Sequence, residues 1–195
     1  SDLPDDSDDA AVSSYYDNDG DDVSALPPMT SEQQTAFNFV SELVHQSNAS
    51  NNAVAILARA GTGKSIWVHH VVRSMRLKGK GCICVAASAL ASTVLPHART
   101  AHAAFKIPVN VHNDTYCSWD AKTKVAIRNC AVILWDEISM VSTDVAEAVN
   151  RSLQSLMKND HPFGGKVVVF LGDFRQLAPV VRHSDAARHS LLSAD

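Results

Sequence analysis

The 195 residues carry a formal net charge of −4, with 46% hydrophobic and 19% charged side chains, the make-up of a globular chain sized for one domain. No apolar run approaches ~18 residues, and the acidic start lacks an apolar core, so no transmembrane helix, secretory signal or Arg-rich transit peptide is expected in these residues. The four cysteines (Cys82, Cys84, Cys117, Cys130) form no CxxC pair and no metal-ligand spacing, so they read as buried free thiols.

The net charge conceals two regions. Residues 1–25 hold nine Asp and no Lys or Arg, giving −9; the remaining residues carry +5, from 17 basic and 12 acidic side chains. The expected organisation is therefore a disordered acidic arm over 1–25 and a folded domain over 26–195. Such an arm reads first as a solvated linker, and second as an interaction tail or a mimic of nucleic acid. The chain begins with Ser1, so a fragment of a longer protein is expected.

In chain order, TSEQQTAFNFVSELVHQ carries a capping box, with Thr30 or Ser31 as cap and Gln33 or Gln34 reaching back. Phe37, Val40 and Val44 mark one face of the helix that follows. Ala53 to Leu57 reads as a buried parallel strand, and an amphipathic helix runs from the loop after it to about Lys78. Cys82 to Ala87 is a second strand, followed by a helix over Ser88 to Leu95; residues 96–120 read as irregular. Ala131 to Trp135 is a third strand. Ser142 caps a helix to about Lys158, and Lys166 to Leu171 is a fourth strand. Apolar strands alternating with helices predict an α/β fold, a parallel sheet covered by helices on both faces.

Three segments carry chemistry, each where a strand ends. The first is Ala58-Arg59-Ala60-Gly61-Thr62-Gly63-Lys64-Ser65, between a strand and a helix, as a phosphate-binding loop requires. Gly61 and Gly63 let main-chain N–H groups of the loop, Thr62 included, turn toward phosphate oxygens, and the helix dipole adds to the attraction. Lys64 is placed for the β- and γ-phosphates and Ser65 for Mg²⁺. Ala58 stands where the motif has its first Gly. The second is Asp136-Glu137, about 70 residues on, a spacing that lets crossovers bring both strand ends to one sheet edge. Asp136 then holds Mg²⁺ and Glu137 deprotonates the attacking water. The third is Gly172-Asp173-Phe174-Arg175-Gln176, whose Gln176 amide is suited to the γ-phosphate or its water. Alone, either of the last two reads as a cap or a turn.

Together these motifs resemble the Pif-type (petite integration frequency) DNA helicases of superfamily one, relatives of RecD and of Helitron transposon helicases. Met29-Thr30-Ser31-Glu32-Gln33 resembles their adenine-reading motif, with Gln33 as the matching Gln. Asp136-Glu137-Ile138-Ser139-Met140 matches their DE-x-S-M, and Pro162 to Val181 is close to their third motif. Arg99 to Pro108, with Thr100 and His102, resembles the T-x-H-S stretch beside single-stranded DNA. The chain departs from the family at Ser88-Ala89-Leu90-Ala91-Ser92 for T-G-x-A-A, at His97-Ala98 for G-G, and at Ala103 for Ser.

The resemblance covers about residues 26–181 and implies the first RecA-like domain of a two-domain helicase. It further implies ATP and Mg²⁺ as cofactors and hydrolysis coupled to movement on single-stranded DNA. Repair, recombination and telomere maintenance, in the nucleus or mitochondrion, come with it. In such motors the second RecA-like domain supplies Arg residues to the transferring phosphoryl group, so this chain alone is expected to bind nucleotide with little unwinding. The competing expectation is a non-catalytic nucleotide- or DNA-binding relic of a Helitron-like element. His102 serves equally as a DNA contact or a packed or capping residue. Phe105 reads as core, and Trp119 is open between base stacking and packing.

Overall fold

The computed structural model describes residues 26–46, 52–59 and 61–173. Helix α1 spans Ser31–Gln46, strand β1 Ala53–Leu57, helix α2 Lys64–Leu77 and strand β2 Gly81–Ala86. A short α3 (Ala89–Ser92), a two-residue β3 (Arg99–Thr100) and α4 (Ala101–Phe105) follow. The chain continues through α5 (Ala121–Asn129), β4 (Cys130–Trp135), a 3-10 turn at Ile138–Met140, and α6 (Thr143–Met157). A second 3-10 turn at Pro162–Gly165 leads into β5 (Val167–Gly172).

All strand pairs are parallel, in the order β1-β5-β4-β2-β3. The predicted α/β architecture is the observed one, and period-2 alternation explains its layers. Val132 and Leu134 of β4, with Val167, Val169 and Leu171 of β5, face a core built with Val40 and Val44 of α1 and Trp67, Val68, Val71 and Met75 of α2. Ile133, Trp135 and Val168 point the other way, onto Phe105 of α4, Ile127 of α5 and Val145, Val149 and Leu153 of α6. Each fully buried aliphatic side chain in these layers contributes about 1.5–3 kcal/mol.

The capping residues resolve one open point. Thr30 Oγ1 accepts from the Gln33 N–H at 3.2 Å, and Gln33 Oε1 accepts from the Thr30 N–H at 3.0 Å, so the box is Thr30 with Gln33. Ser142 caps α6 as expected. Asp120 caps α5, and hydrogen bonds from the Thr123 side chain and main chain hold its carboxyl below the usual range.

The structure differs from the sequence reading in four places, the first being helix α5 (Ala121–Asn129), which was not foreseen. β1 was expected to be buried; among the described residues it is the terminal strand, paired only with β5, and Ala53 and Ala55 are exposed. Residues 96–120 are not wholly irregular, since β3 and α4 lie within them. The helix expected over Ser88 to Leu95 is one turn, capped by the Ser88 hydroxyl. Phe105 is fully buried and tilts against Trp135, ring centroids 5.4 Å apart, as core. Trp119 also belongs to the framework: its indole N–H donates to the Phe105 carbonyl at 2.6 Å.

Candidate nucleotide-binding site

The phosphate loop leaves β1 at Ala58, whose N–H donates to the Gly172 carbonyl at 3.0 Å, tying the loop's start to the end of β5. Gly61 (φ 77°) and Gly63 (φ 81°) both adopt the left-handed conformation, which an L side chain disfavours by about 1–2 kcal/mol. Gly63 precedes α2, and no side chain caps this helix, so its first N–H groups are left to the solvent side or to an anion. The Lys64 ammonium donates to the Ala58 and Arg59 carbonyls, 3.3 Å each, folded back along the loop it would serve. The Thr62 hydroxyl donates to the Arg59 carbonyl at 2.7 Å and closes the loop's waist. Ser65 lies in the first turn of α2.

Strand order sets the distance to the acidic pair. β5 lies between β1 and β4, so at ordinary inter-strand spacing the phosphate loop and the end of β4 stand about 10 Å apart. That is room for a polyphosphate and a cation between them. Asp136 continues β4, its N–H donating to the Val85 carbonyl of β2 at 2.8 Å. Its Oδ1 accepts from the Glu137 N–H at 2.9 Å. Glu137 is itself left-handed (φ 54°), a conformation that turns the chain sharply out of the strand into the 3-10 turn. Its Oε2, like the Ser139 hydroxyl, is buried with no hydrogen-bond partner among the described residues. A buried carboxylate oxygen left unpaired costs about 1–3 kcal/mol or more, so a group that supplies a hydrogen bond or a cation there is favoured.

Gln33 reaches the same loop from α1. Its Nε2 donates to the Thr62 carbonyl at 2.8 Å and the Gly63 carbonyl at 3.4 Å. The structure thus gathers Gln33, Gly61, Thr62, Gly63, Lys64 and Ser65 around one loop, with Asp136 and Glu137 at the same sheet edge. Gln176 lies outside the described residues. Thr100 and His102 sit at the far side of the sheet, beyond β2. The Thr100 hydroxyl accepts from the Ala103 N–H at 3.2 Å and caps α4, while the His102 side chain is exposed. His97 holds the left-handed φ of 52° at a position where the resembled family carries Gly.

One participant was not foreseen. Trp67 of α2 is 3% exposed, and its indole N–H donates to the Gln33 main-chain carbonyl at 3.0 Å. The available signal was a Trp on the buried face of the helix after the loop, since a buried indole needs an acceptor.

Fold and site together define a RecA-like phosphate-loop α/β domain. A family model described as "PIF1-like helicase" matches residues 28–194, and the chain belongs to that family. The ATP-dependent DNA helicase RRM3 of Saccharomyces cerevisiae is 30% identical over 164 residues, which cover 80% of this chain and 21% of that protein. The ATP-dependent DNA helicase PIF1 of Candida albicans is 31% identical over 137 residues, 63% of this chain and 14% of the relative. The chain therefore spans only about a fifth or less of these two relatives. Among solved structures, Bacteroides Pif1 bound to single-stranded DNA superposes with a TM-score of 0.64 at 28% identity, over 80% of this chain and 34% of that one. The Bacteroides enzyme with ADP-AlF3 and single-stranded DNA gives 0.65 at 26% identity, over 80% and 35%.

Proposed function

We propose that this chain is the ATP-binding, first RecA-like domain of an ATP-dependent DNA helicase. The observation that carries the reading is the loop with two left-handed glycines feeding an uncapped helix, on the same sheet edge as Asp136-Glu137. Main-chain N–H groups of the loop and of α2 bind the β- and γ-phosphates. Lys64 exchanges its two carbonyl acceptors for phosphate oxygens, a stronger charge-assisted pairing.

The Ser65 hydroxyl and Asp136 carboxylate form an all-oxygen donor set that suits Mg²⁺, and the Oε2 of Glu137, next to Asp136 in the chain and without a partner among the described residues, fits a site completed by ligands. Bound there, the ion would neutralise phosphate charge. Glu137 orients and deprotonates the attacking water through its buried Oε2. Gln176 is assigned to the γ-phosphate on the family resemblance. Single-stranded DNA is assigned to the Thr100 and His102 side on the same ground, supported by the +5 charge of the chain beyond its first 25 residues. Nuclear or mitochondrial DNA as the substrate rests on the resemblance too.

The test is ATP turnover by the 195-residue chain with and without single-stranded DNA, beside Lys64→Ala and Glu137→Gln. ATP binding lost in Lys64→Ala, and slow turnover lost in Glu137→Gln, are the expected results. A second-domain Arg is worth ~10³–10⁵ in rate in comparable hydrolases, so robust DNA-stimulated unwinding by this chain alone contradicts the domain assignment. Binding without turnover favours a non-catalytic relic. No binding refutes the reading.

A further inference from the structure

The phosphate side and the base side of the site are joined by a residue outside the family motifs. Trp67 stands four residues after Gly63, and its own N–H donates to the Gly63 carbonyl at 3.0 Å, so the loop fixes its backbone. Its indole N–H holds the Gln33 carbonyl at 3.0 Å. One turn on, His70 Nε2 lies 2.9 Å from the Pro27 carbonyl, a second tie from the same helix to the segment entering α1. The other end of Gln33 is engaged as well. Oε1 takes the Thr30 N–H, and Nε2 serves the Thr62 and Gly63 carbonyls. Both Nε2 donors are thus taken, so Gln33 donates to a base only by giving up a loop carbonyl, while Oε1 can accept a second bond. That exchange needs a fixed pivot, and the Gln33 main chain bound to Trp67 supplies one.

We propose that Trp67 is a positioning residue for adenine recognition. Its indole N–H pins the Gln33 main chain, so that the amide moves between the phosphate-loop carbonyls and an adenine edge while α1 stays in place. The proposal rests on the ATP-binding reading above. A phenyl ring would serve packing alone, so the N–H and the ring are separable.

The experiment measures ATP and GTP affinity of the full 195-residue chain for wild type, Trp67→Phe, Gln33→Ala and the double variant. Wild type is expected to prefer ATP. Trp67→Phe should lower ATP affinity about three- to tenfold, the worth of one hydrogen bond, and leave GTP affinity nearly unchanged. On the Gln33→Ala background it should add nothing. An unchanged ATP-to-GTP ratio, an equal loss for both nucleotides, or additivity in the double variant overturns the proposal. Should Trp67→Phe fail to fold, the Trp67 indole ¹H–¹⁵N signal of wild type decides. The chain has three Trp, so Trp119→Phe and Trp135→Phe assign it by elimination. It should shift with ATP and stay put with tripolyphosphate; no shift with ATP overturns the proposal. A wild-type chain that binds neither nucleotide refutes the ATP reading and the proposal together. Normal binding with no Trp67 effect refutes the proposal alone.

Discussion

Replacing Gly63 by Ala tests the loop and its Gln33 contact in one comparison. A Cβ built at Gly63 would lie 2.7 Å from Gln33 Nε2 and 3.9 Å from Ile66 Cδ1. At Gly61 it would meet nothing within 4 Å. Both glycines are left-handed, at φ 81° and 77°, so each Ala carries the same backbone penalty of about 1–2 kcal/mol. Only at Gly63 must the Gln33 amide also leave, losing its bond to the Thr62 carbonyl, worth about 0.5–1.5 kcal/mol. Gly63→Ala should therefore destabilise by about 2–3 kcal/mol and Gly61→Ala by about 1 kcal/mol less. In urea unfolding, a difference of that size separates the midpoints by roughly 0.5 M. On a Gln33→Ala background, where that bond is already absent, Gly63→Ala should cost no more than Gly61→Ala does. Equal midpoints for the two single variants, or a larger cost for Gly63→Ala than for Gly61→Ala on the Gln33→Ala background, would refute the reasoning.

Three further outcomes follow from the framework. Lys158 ends α6 with φ 56° and ψ 43°, the left-handed cap position, so Lys158→Gly should raise stability by about 0.5–1 kcal/mol in urea titration. The Ser152 hydroxyl accepts from the Cys117 N–H at 2.8 Å and donates to the Ala148 carbonyl at 2.6 Å, so Ser152→Ala should cost about 1–3 kcal/mol by the same assay, through the N–H it strands. Burial pushes the Cys130 thiol up to about 11 from 9.0, with Lys166 acting in the opposite direction. A raised thiol contributes stability that is whole below the unfolded value and is lost as pH climbs to the folded one. Stability should therefore fall between about pH 9 and 11, by about 3 kcal/mol from this group, and fall less steeply in Cys130→Ala.

What was legible in the sequence was whatever a single residue type or a short period dictates. β2, β4 and β5 showed themselves because strands covered on both faces are unbroken apolar runs. The same signal over-read β1, because Ala-Val-Ala-Ile-Leu does not tell an edge strand from a central one; only the pairing with β5 does. β3 is Arg99-Thr100, two residues with no apolar period to announce them. α5 was hidden by Lys122, Lys124 and Arg128, although Asp120 ahead of Thr123 is a cap signal. At the site, the glycines, Lys64 and the acidic pair were readable because phosphate and metal chemistry admits few substitutes. The Gln33 bridge and the Trp67 bond were not, since each depends on the approach of α1 to α2.

The placement of β1 has a dynamic consequence. Local opening draws on the least paired elements, and among the described residues β1 has hydrogen bonds to one neighbouring strand while β4 has two. Amides of Ala53 to Leu57 should exchange with solvent through small fluctuations, whereas those of Val132 to Trp135 wait for nearly global unfolding. The phosphate loop thus hangs from a strand with one described neighbour and the acidic pair from a strand with two. Any ligand that bridges the two links regions of unequal mobility, and its arrival should be recorded first as slowed exchange in β1.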